Sequence, residues 1–437
     1  MDMATITTTV TTEPSGRHVN SSEHDAGNTP LAQPEFEPAP DGGMQAWLVA
    51  AGGGAIYFSC LGFANSYGTF QEYYLTHNLS DRTADDVAWI GSIALFLQFA
   101  VALVAGPMFD RFGAKILRPA AVGYVLAIML LSLCTTYWQI MLVQGVLMGI
   151  LAGLLEIPVI TIITHWFDKK RATVLGLVVS GSSIGGVVVP IATSKMLNTT
   201  SLGYGWTLRI IGFFMLPLLV FASVTVKSRI PPHAASFANF WSSEVFKNPK
   251  FLILAGASYL IVMGQNTPIF FIPSYAAIRG TEATLAGSLL AILNAASTFG
   301  RIIPGILADK YGRINVYVVG GIASGVVIFF MDMVATDTVL VIYSVIFSFW
   351  SGTIMSGAPA ALSVCSDDLQ KMGTYLGMAL FIISFGNLIG PPINGVLVER
   401  YGGFFQAALF SGSITVFGGL IAIFAKFHTA EGIFGRT

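Results

Sequence analysis

The sequence predicts an all-α integral membrane protein with twelve transmembrane helices in two six-helix pseudo-repeats. Of its 437 residues, 54% are apolar and only 10% are charged, and the mean hydropathy is +0.72. Soluble domains carry about 25% charged residues, so this composition is that of a chain largely buried in lipid. Two loops with the same residue pattern, one in each half of the chain, indicate the internal repeat.

Twelve apolar runs are each long enough to cross a bilayer, which takes about 20 residues of helix. They lie at 45–70, 84–107, 115–134, 138–163, 172–196 and 206–226, and then at 251–276, 284–308, 314–334, 338–364, 373–395 and 403–426. We therefore expect a disordered cytoplasmic tail (1–43) followed by a six-helix half (44–226). A cytoplasmic connector (227–250) then leads to a second six-helix half (251–426) and a short cytoplasmic tail (427–437).

The N-terminal tail, 1–43, differs in composition from the rest of the chain. It is rich in Thr, Ser, Pro and Glu and has no apolar run. Such a segment buries too little surface to offset its chain entropy, so we expect disorder and no signal peptide.

The basic residues predict the orientation in the membrane. If the N-terminus is cytoplasmic, most Lys and Arg residues fall in loops on that side, which places both termini in the cytoplasm. The plasma membrane is the expected location, and a vacuolar or other internal membrane is the alternative. The sequons at Asn78 and Asn198 then fall in predicted outer loops, so we expect glycosylation at both. Lys169, Lys170 and Arg171 are expected to anchor the topology at the lipid headgroups.

The two matching loops follow spans 2 and 8. Each contains a glycine, an aspartate four residues later, a basic residue and a second glycine: Gly106, Asp110, Arg111 and Gly113, then Gly305, Asp309, Lys310 and Gly312. Glycine permits a tight turn, and aspartate can cap a helix. We expect Asp110, Arg111, Asp309 and Lys310 to be gate residues that hold one state closed and separate when the halves rock. Plain solvated loop charge is the alternative.

Arg301 lies inside span 8, where a guanidinium in hydrocarbon costs about 2.5–3.5 kcal/mol or more. In a helix, Asn294, Ser297 and Thr298 share its face, which makes one polar stripe on an apolar rod. The stripe predicts a wet cavity in which Arg301, Asn294 and Ser297 contact substrate. The alternative is a structural arginine bonded to helix carbonyls or to a carboxylate on another span.

Glu156 is the other charge placed well inside a span, just before Pro158. An intramembrane carboxylate is by default a candidate functional group, and here it is a candidate proton carrier. The alternatives are an interior ion pair, for which Arg301 is one partner, and a protonated structural glutamate beside a proline kink.

The paired loops resemble the signature loop of the major facilitator superfamily. Asp41–Trp47, before span 1, and His165–Ala172, before span 5, resemble motifs of its monocarboxylate transporter family in the fungal form. The resemblance implies the major facilitator fold and alternating access. It also implies that Arg301 pairs with a substrate carboxylate and that Ser297 replaces a proton-coupling aspartate. Asn65 corresponds to a lysine used by the animal carriers on span 1, so we expect Asn65 to be a fourth substrate contact.

The expected function is secondary active or facilitative transport of a small organic anion, either a monocarboxylate or an acidic metabolite. The alternative is an efflux pump for a fungal secondary metabolite of another charge class, and a remote alternative is a non-transporting receptor. The expected partners are a small-molecule substrate, the lipid bilayer and protons, and a net charge of −1 gives no signal for nucleic acid. The sequence has no motif for a cofactor, a metal or a catalytic triad, so no enzyme is expected.

Overall fold

The computed structural model describes residues 38–231, 245–366, 368–428 and 435. The chain divides into two units, Met1–Pro38 and Ala39–Thr437. Most of the predicted N-terminal tail and half of the predicted connector lie outside the described residues, so the predicted segment boundaries remain predictions. The last residues of the predicted tail, Asp41–Gly43, are described, and Asp41 contacts the loop before span 5.

The second unit is a bundle of helices. The first half contains α1 (Met44–Ala64), α2 (Tyr67–Thr76), α3 (Ala84–Ala100), α4 (Ala102–Phe112), α5 (Leu117–Leu131), α6 (Tyr137–Ile140), α7 (Met148–Trp166), α8 (Arg171–Thr199) and α9 (Gly203–Thr225). The second half contains α10 (Pro249–Ile278), α11 (Ala283–Tyr311), α12 (Arg313–Phe329), α13 (Asp337–Leu362), α14 (Met372–Tyr401) and α15 (Phe405–Phe424). A π-helical stretch, Met141–Leu147, joins α6 to α7.

Within the described ranges, 11 helical stretches are long and apolar enough to cross a membrane, and one of them, Asp86–Leu131, has 46 residues. A helix of that length would span about 70 Å, more than twice the hydrocarbon thickness of about 30 Å. Gly113, with φ 62°, ends α4 and turns the chain into α5, so this stretch crosses twice and the bundle has twelve crossings. Gly312, with φ 102°, makes the matching turn between α11 and α12. Positive φ is inexpensive only for glycine.

We call the end of the bundle that carries Gly113 and Gly312 the motif end, and the other end the opposite end. The two halves pack through α8 against α11, and through α14 against α3 and α4. One buried apolar cluster includes residues of both halves. A second cluster, around Ile272, Leu289 and Phe347, belongs to the second half alone and lies toward the opposite end. In the described chain, the apolar core that the halves share therefore lies toward the motif end.

Candidate functional site

Arg301, on α11, is 5% exposed and reaches across to the other half. Its Nη1 donates hydrogen bonds to the carbonyl oxygen of Val179, at 2.7 Å, and to the hydroxyl of Ser182, both on α8. Its Nε is fully buried without a hydrogen-bond partner among the described residues. A buried polar group left unbonded costs about 1–3 kcal/mol. Arg301 therefore joins the halves, with part of its hydrogen-bonding capacity unused.

No ion pair joins Arg301 to Glu156 in the described part of the chain. Tyr57, on α1, is close enough to interact electrostatically with both Glu156 and Arg301. The two intramembrane charges thus share a neighbour without contacting each other. Of the alternatives open for Arg301, bonding to a helix carbonyl is what the structure contains, and a carboxylate partner on another span is absent from the described residues.

Asn65 and Asn294 lie beside Arg301 at the junction of α1, α8 and α11. Asn65 Nδ2 is 3.5 Å from both Asn294 Oδ1 and the carbonyl oxygen of Ser182, and Asn294 Nδ2 donates to the carbonyl of Gly186 at 3.4 Å. Bonds of this length are weak. A Cβ at Gly186 would lie within 2.8 Å of both amides, so the glycine makes room for them. Three of the four predicted substrate residues are therefore neighbours.

Ser297 faces another helix. A Cβ at Gly352, on α13, would lie 3.0 Å from Ser297 Oγ and 2.6 Å from its carbonyl oxygen. The Thr298 hydroxyl donates to the carbonyl of Asn294 at 3.2 Å, within its own helix. Because α11 packs between α8 and α13, the predicted polar stripe divides, with Asn294 and Arg301 toward α8 and Ser297 toward α13.

Glu156, on α7, is 3% exposed and sits among neutral groups. Its Oε2 accepts a hydrogen bond from Gln98 Nε2 at 2.9 Å, and its Oε1 is fully buried without a partner in the described residues. Tyr57, Cys60 and Tyr124 lie within its electrostatic range. The arrangement can hold a carboxyl group with or without its proton. Gln98 was not predicted as a site residue from the sequence.

At the motif end, the aspartate of each signature loop binds a helix of the other half. Asp110 accepts hydrogen bonds from the backbone nitrogens of Gly373, at 3.1 Å, and Thr374, at 2.7 Å, and from the Thr374 hydroxyl, at 2.6 Å. Asp309 accepts from the backbone nitrogens of Ala172, at 2.9 Å, and Thr173, at 2.7 Å. These N–H groups belong to the first turns of α14 and α8, where they lack helical partners and carry partial positive charge. Each carboxylate therefore caps a helix across the interface.

The basic residues of the two loops lie against their own neighbours. The guanidinium of Arg111 is 5.4 Å from the ring centre of Phe112, and the ammonium of Lys310, an exposed residue, is 5.1 Å from that of Tyr311. The predicted gate therefore has its two aspartates in the interface between the halves, and these two basic groups beside aromatic rings.

Two other arginines cross the interface. Arg313 Nη2 donates to the carbonyl oxygen of Asp168, and its Nε is 3.7 Å from Asp309. Arg171 is 7% exposed, and its Nη1 donates to the Ser363 hydroxyl at 3.3 Å. The expectation that Arg171 lies at the headgroups is therefore wrong. The side chain of this first residue of α8 lies in the contact with the second half, beside Ser363.

The two sequons lie at the opposite end. Asn78 is in the turn between α2 and α3 and is partly exposed. Asn198 is exposed but lies in the last turn of α8, where its Nδ2 donates to the Ser194 hydroxyl at 3.3 Å. The predicted outer loop at Asn198 is therefore wrong, because α8 continues to Thr199.

The family model of the Major Facilitator Superfamily matches residues 53–331 and 260–432. The chain belongs to this superfamily. It is a multi-pass membrane transporter rather than an enzyme, and the predicted fold class is confirmed. Two solved structures share the fold, each with a TM-score of 0.68 over 87% of this chain. They are a variant of the Escherichia coli fucose:proton symporter, 14% identical with 98% of its chain covered, and a human organic anion transporter, 12% identical with 100% covered.

Several curated relatives of this facilitator are fungal transporters. The aspyridones efflux protein of Emericella nidulans is 40% identical over 412 residues, which cover 94% of this chain and 84% of that protein. The agnestins efflux protein of Paecilomyces divaricatus is 34% identical, with 96% of this chain and 94% of that protein covered. A transporter of Aspergillus niger is 35% identical, with 94% and 97% covered.

Proposed function

We propose that this facilitator exports a small fungal secondary metabolite by alternating access. The observation that carries the proposal is the 40% identity, over 94% of this chain, to a fungal protein named for efflux of aspyridones. The 34% identity to an agnestins efflux protein supports the same class of substrate. Neither name refers to a monocarboxylate, so the efflux alternative has more support than transport of a simple monocarboxylate.

The orientation that fits export has both termini in the cytoplasm and the protein in the plasma membrane. The distribution of Lys and Arg over the loops supports this orientation. The motif end is then the cytoplasmic end, and the conformation with Asp110 and Asp309 in place is closed to the cytoplasm. Loading of the substrate from inside requires both carboxylates to release the helix ends that they cap.

Arg301, Asn294 and Asn65 are the proposed substrate contacts, and Ser297 contributes from the adjoining face of α11. Opening of the motif end separates α11 from α8, which frees Arg301 from Val179 and Ser182. A free guanidinium suits an acidic group on the metabolite. Closing the motif end returns Val179 and Ser182 to Arg301, so that they compete with the substrate and favour its release to the outside.

Glu156 is the proposed proton carrier, and Gln98 holds its carboxyl group through the hydrogen bond of 2.9 Å. An antiport of metabolite against protons would use the inward proton gradient to drive export. The unbonded, buried Oε1 supports this assignment, because a carboxyl group with one oxygen unbonded tolerates gain and loss of a proton better than one locked in an ion pair.

Deletion of the gene in its own fungus tests the function. Metabolites in the mycelium and in the medium would be compared by mass spectrometry, with the wild-type gene restored as a control. At least one secondary metabolite should fall in the medium and rise in the mycelium. An unchanged distribution of every secondary metabolite would contradict the export proposal.

Arg301→Gln tests the site in the same strain, with Arg279→Gln as the matched control. Arg279 is exposed at the opposite end, with its guanidinium 5.0 Å from the ring centre of Tyr275. Loss of a charge-assisted hydrogen bond, worth about 1.5–3 kcal/mol, should reduce export by roughly tenfold or more for Arg301→Gln. Equal export by both variants would remove Arg301 from the substrate site while leaving the export function in place.

A further inference from the structure

Asp41 lies just before α1 and bonds to the loop between α7 and α8. Its backbone nitrogen donates to the carbonyl of Trp166 at 3.1 Å. Its Oδ1 accepts from the backbone nitrogens of Asp168, at 2.7 Å, and Lys170, at 3.3 Å. Asp41 has φ 51° and is the one non-glycine residue with positive φ in the described chain. Such a conformation is costly and persists where surrounding contacts hold it.

The loop that Asp41 holds carries the gate of the first half. The carbonyl of Asp168 accepts a hydrogen bond from Arg313 of the second half, and its carboxylate is 3.1 Å from Arg171. The first N–H groups of α8, at Ala172 and Thr173, follow directly and bind Asp309 of the second half. The geometry of this loop therefore sets the position of every first-half group that meets Arg313 and Asp309.

The start of α1 is fastened to the same loop by a second contact. The ring of Trp47 meets that of Phe167 edge-on, with 5.4 Å between the ring centres, and Phe167 is fully buried. The indole nitrogen of Trp166 donates to the carbonyl of Lys227, just after α9, at 2.9 Å. The segment before α1, the α7–α8 loop and the end of the first half are thus bonded into one body at the motif end.

We infer that Asp41 is a positioning residue for the transport cycle, which sets the α7–α8 loop in the geometry that closes the motif end. The inference rests on the alternating-access part of the proposed function and not on the nature of the substrate. Two backbone N–H groups, of Asp168 and Lys170, point at one carboxylate oxygen, and this holds the loop so that the Asp168 carbonyl faces Arg313. Without that carboxylate, the loop relaxes, the capping of α8 by Asp309 weakens, and the closed state loses population.

Cys365 is a native reporter of that closure. It lies in the loop between α13 and α14, two residues after Ser363, the partner of Arg171, and is 5% exposed. Burial raises the pKa of the Cys365 thiol to about 12, so it reacts slowly with a maleimide while the motif end is closed. Cys60 and Cys134 are buried in α1 and near the opposite end, and they serve as internal references.

The test measures the maleimide labelling rate of each cysteine in purified full-length protein in detergent, by mass spectrometry. Asp41→Gly removes the carboxylate while allowing the positive φ, so loss of folding is not expected. Asp41→Gly should raise the labelling rate of Cys365 roughly fivefold, because the loss of a cap shifts a conformational equilibrium by about that factor. Asp41→Asn keeps an acceptor oxygen and tolerates this φ, so its rate should be close to wild type. Asp81→Ala, at an exposed carboxylate of the opposite end, is the matched control.

A wild-type rate at Cys365 in Asp41→Gly would overturn the inference. Equal acceleration in Asp41→Asn would also overturn it, because charge rather than hydrogen bonding would then be responsible. Parallel acceleration at Cys134 would indicate general loosening and would count against a positioning role. Failure of the export proposal would appear as unchanged metabolite distribution in the deletion strain, which is independent of Cys365 labelling.

Discussion

The two halves of the bundle use the same backbone contacts at the interface between them. A Cβ at Gly176 of α8 would lie 2.2 Å from the carbonyl oxygen of Arg301, and a Cβ at Gly377 of α14 would lie 2.3 Å from that of Ala102. Each half also supplies an aspartate, Asp110 or Asp309, that caps the other half's helix. The close helix contacts and the capping aspartates therefore occur twice, once in each half.

The side chains at equivalent positions differ. Arg301 stands where the first half has Ala102. Cβ atoms at Gly153 and Gly352 would make equivalent contacts, 2.4 Å and 2.6 Å, with the carbonyls of Gln98 and Ser297. Glu156, three residues after Gly153, therefore corresponds to Met355 of the second half. The backbone contacts are thus repeated, while the first half adds the buried carboxyl group of Glu156 and the second half adds the buried guanidinium of Arg301.

The largest effect is expected from filling the repeated close contacts. Gly176→Val and Gly377→Val should each lower export about 100-fold, because overpacking at a backbone contact costs about 3 kcal/mol in the closed state. Gly256→Val and Gly395→Val are controls, since a Cβ at either glycine has no neighbouring atom within 4 Å. Export rates at equal protein levels give the comparison. A severe loss of export in only one of Gly176→Val and Gly377→Val would show that the two contacts are not equivalent.

A smaller effect, about tenfold, is expected from neutralising the charge of the first half. Glu156→Gln keeps the shape and a hydrogen bond to Gln98 but cannot carry a proton, so export driven by a proton gradient should fall while substrate exchange without a gradient continues. Met355→Gln is the matched control in the second half and should transport normally. Vesicle assays with and without an imposed pH gradient separate the two activities. Gradient-driven export that survives in Glu156→Gln would assign coupling to another group.

The capping aspartates should give a similar effect in both halves. Asp110→Ala and Asp309→Ala each remove a cap worth about 0.5–2 kcal/mol, so each should raise the labelling rate of Cys365 roughly fivefold. Asp81→Ala again serves as the control. Opening of the motif end by Asp110→Ala but not by Asp309→Ala would have a specific meaning. In that case the ion pair of Arg313 with Asp168 would be sufficient to hold α8 closed without the Asp309 cap.

The smallest effect is expected at Ser182, which bonds to Arg301 only across the closed interface. Ser182→Ala removes one competitor for the guanidinium, so the apparent affinity for the exported metabolite should rise about threefold, the equivalent of a weak hydrogen bond. Ser183→Ala, at the next buried serine of α8, is the control. Weaker binding in Ser182→Ala would show that the hydroxyl positions Arg301 for the substrate instead of competing with it.

Much of the fold was readable from the sequence because hydropathy is a local property. Span 8, predicted at 284–308, is α11 (Ala283–Tyr311), and span 5, predicted at 172–196, is α8 (Arg171–Thr199). The helix ends were less accurate, and for this reason Asn198 was expected in a loop. The break between α1 and α2 at Asn65 and Ser66 was not predicted, because no proline or glycine marks it.

The candidate site was predictable only in part. The sequence singled out Arg301, Asn294 and Asn65. In the structure, all three side chains lie against α8. Ser297 was expected on the same surface, but a helix packed on two sides presents its polar stripe to two neighbours. Ser182 and Gln98 were not predicted as site residues, because serine and glutamine are common and their partners lie far away in the chain. Asp41 was noted only as part of the motif before span 1, which does not reveal its contact with Asp168.

The sequence by itself determined that this chain is an integral membrane protein with an internal repeat. It also determined that Glu156 and Arg301 are ionisable residues in apolar segments. These properties depend on composition and spacing along one segment. Only the tertiary structure decided that Arg301 bonds to α8 and not to Glu156, and that each signature-loop aspartate caps a helix of the other half. It also decided that Arg171 contacts Ser363 and that Asp41 contacts Asp168. Those contacts join residues more than a hundred positions apart, and the packing of α8, α11 and α14 determines them.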